Sequence, residues 1–220
     1  MNTIIHKLKE LSKKVSYCVV GTEGNVSASY DGGIIIKGSG KSLHNVQSED
    51  FVLVKNDTYD GNIKPSMEYK FHDWIIKNLN VKFVSHTHPT NTLKILCSSR
   101  LDEFATCRMF PDQVVFNGSK SCVIDYYHPG DDLFEHVKKG IIDFISENDF
   151  VPKLVLLKNH GIITFGDTVG DCVVRTEMCE KSAEIFLGSI NNGITTLSNY
   201  DIDKLVNDKR EKYRQNILKN

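Results

Sequence analysis

The sequence predicts a three-layer α/β fold in which a largely antiparallel central sheet is covered by helices on both faces. Short apolar runs of strand length alternate with longer stretches of helical periodicity along the 220 residues. The runs 154–157 and 162–165 are joined by a tight turn, which favours antiparallel pairing because parallel strands need a long crossover. No linker or low-complexity tract divides the chain, so a single domain over residues 1–220 is expected.

The short apolar runs and the stretches of helical periodicity predict the elements in chain order. Apolar runs bounded by turn residues predict strands at 34–36, 51–54, 81–84, 114–116, 122–124, 154–157 and 162–165. Apolar residues at helical spacing predict helices near 2–15, 67–79, 91–109, 132–147, 168–190 and 199–217. Ser66 is a candidate cap of the second helix.

The first helix also bears on localisation. Its apolar residues, Ile4, Ile5, Leu8 and Leu11, have amphipathic spacing and do not form the continuous core of a signal peptide. The six cysteines lie far apart without a C-x-x-C pair, as is typical of reduced, buried thiols. A cytoplasmic protein is therefore expected.

Charge and hydropathy narrow the class of partner. The 27 Lys and Arg residues nearly balance the 28 Asp and Glu residues, which gives a net charge of -1. Such a balance argues against binding to nucleic acid or to an anionic membrane surface. No apolar run approaches membrane-spanning length. The expected partner is a small molecule.

Two histidines at alternating positions, His86 and His88, follow the apolar run 81–84. Side chains at i and i+2 of an extended strand project to the same face, so both rings can bind one metal ion. Pro89 cannot donate to a sheet ladder and ends the strand, which places the pair at a strand mouth. A bare His-x-His is equally compatible with a polar surface turn, so the interpretation depends on further ligands.

His160 and Glu68 are candidates to complete such a site. His160 lies in the turn between the runs 154–157 and 162–165, another strand mouth, and catalytic zinc commonly has three protein ligands. Glu68 stands in the first turn of a predicted helix, where it could serve as a base or could simply complement the helix dipole. Ser66 could bind an anion there or act only as a cap.

Two glycine-bearing turns, 21–27 and 37–42, indicate a site for a phosphate or a sugar hydroxyl. The second ends in Gly40-Lys41-Ser42, but Ile35 stands where a P-loop needs its first glycine, so that motif is rejected. The remaining interpretation is a short loop whose backbone N–H groups and hydroxyls could bind an anion.

Taken in chain order, five motifs resemble the class II aldolase/adducin family. They are Gly24-Asn25-Val26-Ser27, Gly38-Ser39-Gly40, Lys64-Pro65-Ser66-Met67-Glu68, His86-Thr87-His88-Pro89 and Asn159-His160-Gly161. The resemblance extends from about residue 2 to about residue 190. The family includes fuculose-phosphate and rhamnulose-phosphate aldolases, ribulose-phosphate 4-epimerase, methylthioribulose-phosphate dehydratase and adducin. The resemblance implies the family's three-layer fold.

The resemblance also implies a site and a reaction. It implies one Zn²⁺ per subunit on His86, His88 and His160, with Glu68 as acid/base. It implies contacts to a sugar or sugar phosphate from Asn25, Ser39, Gly40 and Ser66. The reaction would be retro-aldol cleavage through an enediolate, in a homotetramer with active sites at subunit interfaces.

The proton donor and the reaction type stay open. Family aldolases use a tyrosine from a neighbouring subunit, where this chain has residues 108–112, so Asp112 is the candidate here and Tyr213 is a second one. Met67 stands where phosphate-specific members often carry a second hydroxyl. Epimerisation and dehydration share the site chemistry, and a non-catalytic adducin-like interaction module is a further alternative.

Overall fold

The fold is an α/β/α sandwich built on a mixed sheet. The structure is a computed structural model that describes residues 1–211 and residue 213. Its strands are β1 (Asn25–Tyr30), β2 (Gly33–Lys37), β3 (Phe51–Lys55), β4 (Thr58–Tyr59), β5 (Phe83–Thr87), β6 (Cys122–Ile124), β7 (Leu154–Leu157) and β8 (Gly161–Gly166). Its helices are α1 (Asn2–Val15), α2 (Tyr69–Asn78), α3 (Thr90–Leu96), α4 (Leu101–Thr106), α5 (Pro111–Asn117), α6 (Asp131–Asn148), α7 (Val169–Ser189) and α8 (Asn199–Asn207).

The described strands form one sheet in the order β4-β3-β2-β1-β5-β8-β7-β6. Strands β6 and β7 pair in parallel, and the other neighbours pair antiparallel, which confirms the predicted sheet. The hairpin of β7 and β8 is also confirmed. Strand β5 lies between β1 and β8 near the middle of the sheet, so the residues at its end are held on both sides.

Helices cover both faces because each face of the sheet is apolar. Helices α2 and α6 pack on the face that carries Ile34 and Ile36, and α1 and the start of α7 pack on the face that carries Ile35. The two clusters follow the alternation of side chains along β2. Most of the predicted helices are confirmed within a residue or two.

Some predicted elements were wrong or incomplete. The run 114–116, predicted as a strand, lies in α5, where Pro111 occupies the first turn and Gly118 ends the helix with a φ of 82°. The predicted helix 91–109 is two helices, α3 and α4, and strands β1 and β4 were not predicted. The last predicted helix, 199–217, is confirmed as α8 to Asn207; Asp208 interrupts it, and residues 209–211 are helical again. Its predicted continuation reaches residues 212 and 214–217, which lie outside the described residues.

Two further predictions can be compared with the structure. None of the helices within the described part of the chain is long and apolar enough to span a membrane. All six cysteines are free thiols, and five of them are buried, whereas Cys97 is exposed.

Candidate metal centre

His86 and His88 lie at the C-terminal end of β5. The prediction placed both at a strand mouth, but only His88 lies beyond the strand. Strand β5 continues to Thr87, beyond the predicted end of the run, so His86 lies inside the sheet and is 1% exposed. His88 follows the strand, and its backbone N–H donates to the Cys18 carbonyl at 3.1 Å. Pro89 then precedes α3, so the strand does end before the proline.

His160 reaches the same place from the hairpin of β7 and β8. Asn159 takes a left-handed conformation in the turn, with a φ of 55°, and His160 follows it directly. Gly161 makes the approach possible. A Cβ at this position would lie 2.5 Å from His88 Cδ2 and 2.6 Å from the Thr87 carbonyl oxygen. Glycine is therefore required here for close packing of the two histidine segments.

His86, His88 and His160 form a histidine cluster whose ligand nitrogens all lie within 4.8 Å of one another. His86 Nε2 and His88 Nε2 are 3.0 Å apart. His86 Nδ1 donates to the Ile162 carbonyl at 2.9 Å, so His86 Nε2 presents its lone pair to the cluster. Two ligand nitrogens of a tetrahedral zinc site are separated by about 3.3 Å, given Zn–N bonds of about 2.0–2.1 Å. The donor set and spacing fit a zinc ion.

Burial keeps the histidine cluster neutral. It lowers the pKa of His86 well below the usual value, and the neighbouring histidines lower it further. Burial lowers the pKa of His160 to about 4, with a smaller contribution from His88. The pKa of His88 is also lowered, chiefly by burial. Neutral imidazole is the form that binds a metal ion, so the cluster is prepared for one.

Glu68 places a carboxylate against the histidine cluster. It occupies the N-cap position of α2, one residue before the helix begins, so it and not Ser66 holds the cap position. Its Oε2 lies 3.4 Å from His86 Nε2, and its Oε1 lies 3.4 Å from His160 Nε2. Burial raises the pKa of Glu68 to about 7, although a hydrogen bond from Asn25 and the charge of Lys37 oppose the shift. Such a group can hold or release a proton near neutral pH.

Asn25 and Ser66 hold this carboxylate. Asn25 Nδ2 donates to Glu68 Oε2 at 2.7 Å and to Ser66 Oγ at 3.1 Å. The Glu68 backbone N–H also points at Ser66 Oγ, at 3.4 Å. Asn25 Oδ1 is buried and has no hydrogen-bond partner among the described residues. The structure therefore brings together Asn25, Ser66 and Glu68 at the edge of the histidine cluster.

Ser39 and Gly40 lie in the exposed loop beside Ser66. The Ser39 backbone N–H donates to the Lys64 carbonyl at 2.8 Å, and the Ser66 N–H donates to the Lys37 carbonyl at 3.1 Å. The loop after β2 is thus paired with the segment that leads to Glu68. Gly40 has a φ of 73°, which only glycine adopts readily.

Asp112 stands on a helix that provides none of the site residues described above. It stands in the first turn of α5, a helix that packs against α7 and α8. The second candidate, Tyr213, is 68% exposed. The hydrogen-bonded group of Glu68 and Asn25 is built from β1 and the start of α2, whereas Asp112 is provided by α5.

Lys37 is a buried residue near this site that sequence reasoning missed. Its side chain is 2% exposed, and its Nζ donates to the Thr22 carbonyl at 3.1 Å and to the Lys41 carbonyl. Burial lowers the pKa of Lys37 to about 8. The ammonium group thereby joins the two glycine turns that flank the site. The signal in the sequence was a lysine that directly continues the apolar run 34–36.

The fold and the centre define an α/β protein with three histidines and one carboxylate at a central strand end. Residues 14–187 match the model of the Class II Aldolase and Adducin N-terminal domain, and the chain belongs to this family. The aldolases of this superfamily are lyases, which supports an enzyme.

Two activities recur among the named relatives. The chain is 31% identical to an L-fuculose phosphate aldolase from Methanococcus maripaludis over 172 residues, which cover 76% of this chain and 86% of the relative. It is 27% identical to a 3-oxo-tetronate 4-phosphate decarboxylase from Escherichia coli over 168 residues, which cover 75% and 76%.

Two solved structures show the same fold. The structure of an L-fuculose 1-phosphate aldolase superimposes with a TM-score of 0.80 at 21% identity, covering 97% of each chain. A sugar-phosphate aldolase from Thermotoga maritima superimposes with a TM-score of 0.74 at 20% identity, covering 89% of this chain and 98% of the other.

Proposed function

We propose that this chain is a zinc-dependent carbon-carbon lyase that cleaves a ketose or ketose phosphate next to its carbonyl by a retro-aldol reaction. The observation that carries the proposal is the convergence of the histidine cluster with the buried carboxylate of Glu68. Three imidazole ligands that leave one position open are typical of a catalytic zinc ion and unlike a closed structural one.

His86, His88 and His160 would hold the zinc ion, one per chain. When bound, zinc supplies a Lewis acid that stabilises the negative charge developing on the carbonyl oxygen as the bond breaks. Glu68 lies beside the same position, within reach of two of the ligand nitrogens. It could act as a fourth ligand in the absence of substrate.

Glu68 moves the proton in this proposal. Retro-aldol cleavage removes a proton from the β-hydroxyl, breaks the adjacent C–C bond and returns a proton to the carbon next to the carbonyl. A carboxyl group whose pKa is raised to about 7 by burial is suited to the last step at neutral pH. Asn25 keeps Oε2 oriented through its 2.7 Å hydrogen bond.

The substrate is proposed to bind between the two glycine turns. Asn25 Oδ1 offers a free acceptor, Ser39 and Ser66 offer hydroxyl groups, and Gly40 offers a backbone N–H donor for a sugar hydroxyl or phosphate. The relatives named above act on phosphorylated compounds, which supports a phosphorylated substrate. Met67, 63% exposed beside Ser66, adds no hydroxyl there.

Asp112 is proposed as the proton donor or acceptor at the opposite side of the substrate, provided by a neighbouring subunit. Asp112 stands on α5, an element that provides none of the residues around the chain's own Glu68, which agrees with a role in trans. The proposal therefore includes a single-domain chain that assembles as a homotetramer with active sites at the subunit interfaces. Light scattering tests it: a monomer at working concentration would rule out this role for Asp112.

Decarboxylation of a 3-oxo acid phosphate is the second candidate. The named decarboxylase relatives favour it, and the same charge stabilisation at a carbonyl oxygen serves both reactions. The difference lies in the fragment that leaves, an aldehyde in one case and CO₂ in the other. Epimerisation would return the aldehyde to the enzyme-bound fragment and release neither.

The test is a substrate panel with the zinc-loaded protein. Ketose phosphates, free ketoses and 3-oxo acid phosphates are incubated, and the release of triose phosphate, aldehyde and CO₂ is measured. The proposal predicts aldehyde and triose phosphate release from a ketose phosphate. Zinc-dependent CO₂ release alone would select the decarboxylase. No turnover of any panel member by zinc-loaded protein would count against both.

A further inference from the structure

We propose that Glu23 is a positioning residue for the metal centre, which fixes His88 through its ring Nδ1 and raises the affinity of the site for zinc. This inference rests on the proposed function. Glu23 lies in the first glycine turn, Gly21-Thr22-Glu23-Gly24, and belongs to neither the histidine cluster nor the group around Glu68. Its Oε2 lies 3.5 Å from His88 Nδ1.

The tautomer of His88 requires an acceptor at this place. His86 Nε2 carries a lone pair, because Nδ1 of that ring donates to the Ile162 carbonyl. His88 Nε2 faces it at 3.0 Å and can bind the same cation only if it is also unprotonated. The His88 proton then stands on Nδ1, which faces the Glu23 carboxylate. Histidine ligands commonly donate their second N–H to such a partner, which fixes the ring and raises its basicity.

The turn holds Glu23 in this position. The Val20 backbone N–H donates to the same oxygen, Glu23 Oε2, at 2.9 Å. The Glu23 N–H donates in return to the Val20 carbonyl at 3.1 Å. Cys18, at the base of the same segment, accepts the backbone N–H of His88 at 3.1 Å. The segment therefore supports both the backbone and the ring of His88.

The three histidines of the cluster differ in what their Nδ1 atoms face. His86 uses a backbone carbonyl, and His88 faces a carboxylate. His160 Nδ1 is buried and has no hydrogen-bond partner among the described residues. Glu23 thus places a carboxylate next to the outer ring nitrogen of His88, whereas Glu68 faces the Nε2 atoms of the other two histidines. Loss of Glu23 should weaken cation binding more than its half-exposed position alone would indicate.

The experiment measures zinc affinity by competition with a chelator in wild type, Glu23→Gln and Glu23→Asp. Glutamine keeps the size of the side chain and removes the charge, so a 10–100-fold weaker affinity is expected, as for other carboxylates that support metal-binding histidines. Aspartate keeps the charge on a shorter side chain and should recover part of the loss. Glu49→Gln is the matched control, since Glu49 is an exposed carboxylate in the short helix Ser48–Asp50; it should bind zinc as wild type does.

Two further readouts separate positioning from a general loss of structure. The melting temperature of the metal-free protein should be the same for wild type and Glu23→Gln, while the increase on adding zinc should be smaller in the variant. The visible spectrum of the Co²⁺-substituted protein should change, because the orientation and basicity of one ligand change.

The outcomes are distinct. Wild type that binds one zinc ion, with Glu23→Gln within twofold of its affinity and an unchanged Co²⁺ spectrum, would overturn this inference and leave the proposed function intact. Equal weakening in Glu49→Gln would overturn it too, because a general charge effect would then explain the result. Wild type that binds no zinc would remove the proposed function and this inference together.

Discussion

The histidine cluster, which is buried at His86 and half-buried at His88 and His160, and the buried guanidinium of Arg108 differ in how their polar atoms are satisfied. Arg108 is 1% exposed and donates to the carbonyls of Ala105, Cys107 and Gly118 and to Ser121 Oγ, at 2.6–3.2 Å. In the histidine cluster, ring nitrogens face one another and a carboxylate, as ligands around a cation do.

This difference distinguishes a structural polar group from a binding site. A buried group whose donors all have protein acceptors has no need of a ligand. Burial lowers the pKa of Arg108 to about 10, so it stays charged near neutral pH and continues to hold three backbone carbonyls. The histidine cluster instead leaves lone pairs without donors, which a metal ion would satisfy. Variants at the two places should therefore fail in different ways.

The largest effect is expected for Glu68→Gln. The amide keeps the shape of the side chain and cannot transfer a proton, so kcat on the substrate found in the panel should fall by about 10²–10⁴-fold. Zinc should remain bound, because the three imidazoles are intact. Kinetics and metal analysis on the same preparation check both parts. Full activity in this variant would show that Glu68 is not the acid/base.

Arg108→Met should show the opposite behaviour. Three carbonyls lose their donor at about 1–3 kcal/mol each, and the relief of burying a charge offsets part of this, so the free energy of unfolding should fall by about 2–4 kcal/mol. Zinc stoichiometry per folded molecule should not change. Chemical denaturation with metal analysis measures both quantities. Loss of zinc from folded protein would contradict the separation of the two regions.

Gly161→Ala is expected to affect both stability and the centre. The new methyl group would meet His88 Cδ2 at 2.5 Å and the Thr87 carbonyl oxygen at 2.6 Å, so stability should fall by about 1–3 kcal/mol and zinc affinity should weaken. Thermal unfolding with and without zinc provides the measurement. Unchanged zinc affinity would mean that the close approach of these segments is not needed.

The matched control for that variant is Gly188→Ala, where the smallest effect is expected. Gly188 lies in α7, and a Cβ there meets no atom within 4 Å. Alanine favours the helix over glycine, so stability should rise by about 0.5–1 kcal/mol with zinc affinity unchanged. A decrease in the melting temperature would contradict the open space found at this position.

Sequence patterns succeeded where the signal was local. The hairpin of β7 and β8 and the position of His160 in its turn follow from two apolar runs that are too close for a crossover. The run 114–116 failed because three apolar residues fit a buried helix as well as a strand. Here Pro111 favours the start of a helix, and packing against α7 stabilises it.

Patterns also failed where polar residues are buried against distant partners. Strand β1 was missed because Asn25 and Ser27 interrupt its apolar pattern. Both side chains are nevertheless buried, because they form hydrogen bonds with Glu68 and His72 at the start of α2. The roles of Lys37 and Glu23 likewise depend on segments that approach only in the folded chain. Chain order and spacing do not contain that information.

The most direct test of the histidine cluster is equilibrium zinc binding by wild type and His88→Ala, with stoichiometry from elemental analysis. The wild type should bind one zinc ion per chain. His88→Ala should bind it more than about 100-fold less tightly, because it loses a ligand, whereas loss of a supporting group alone costs about 10–100-fold. A folded wild type that binds no stoichiometric zinc, or a variant that binds it as tightly as wild type, would contradict the assignment of these three histidines.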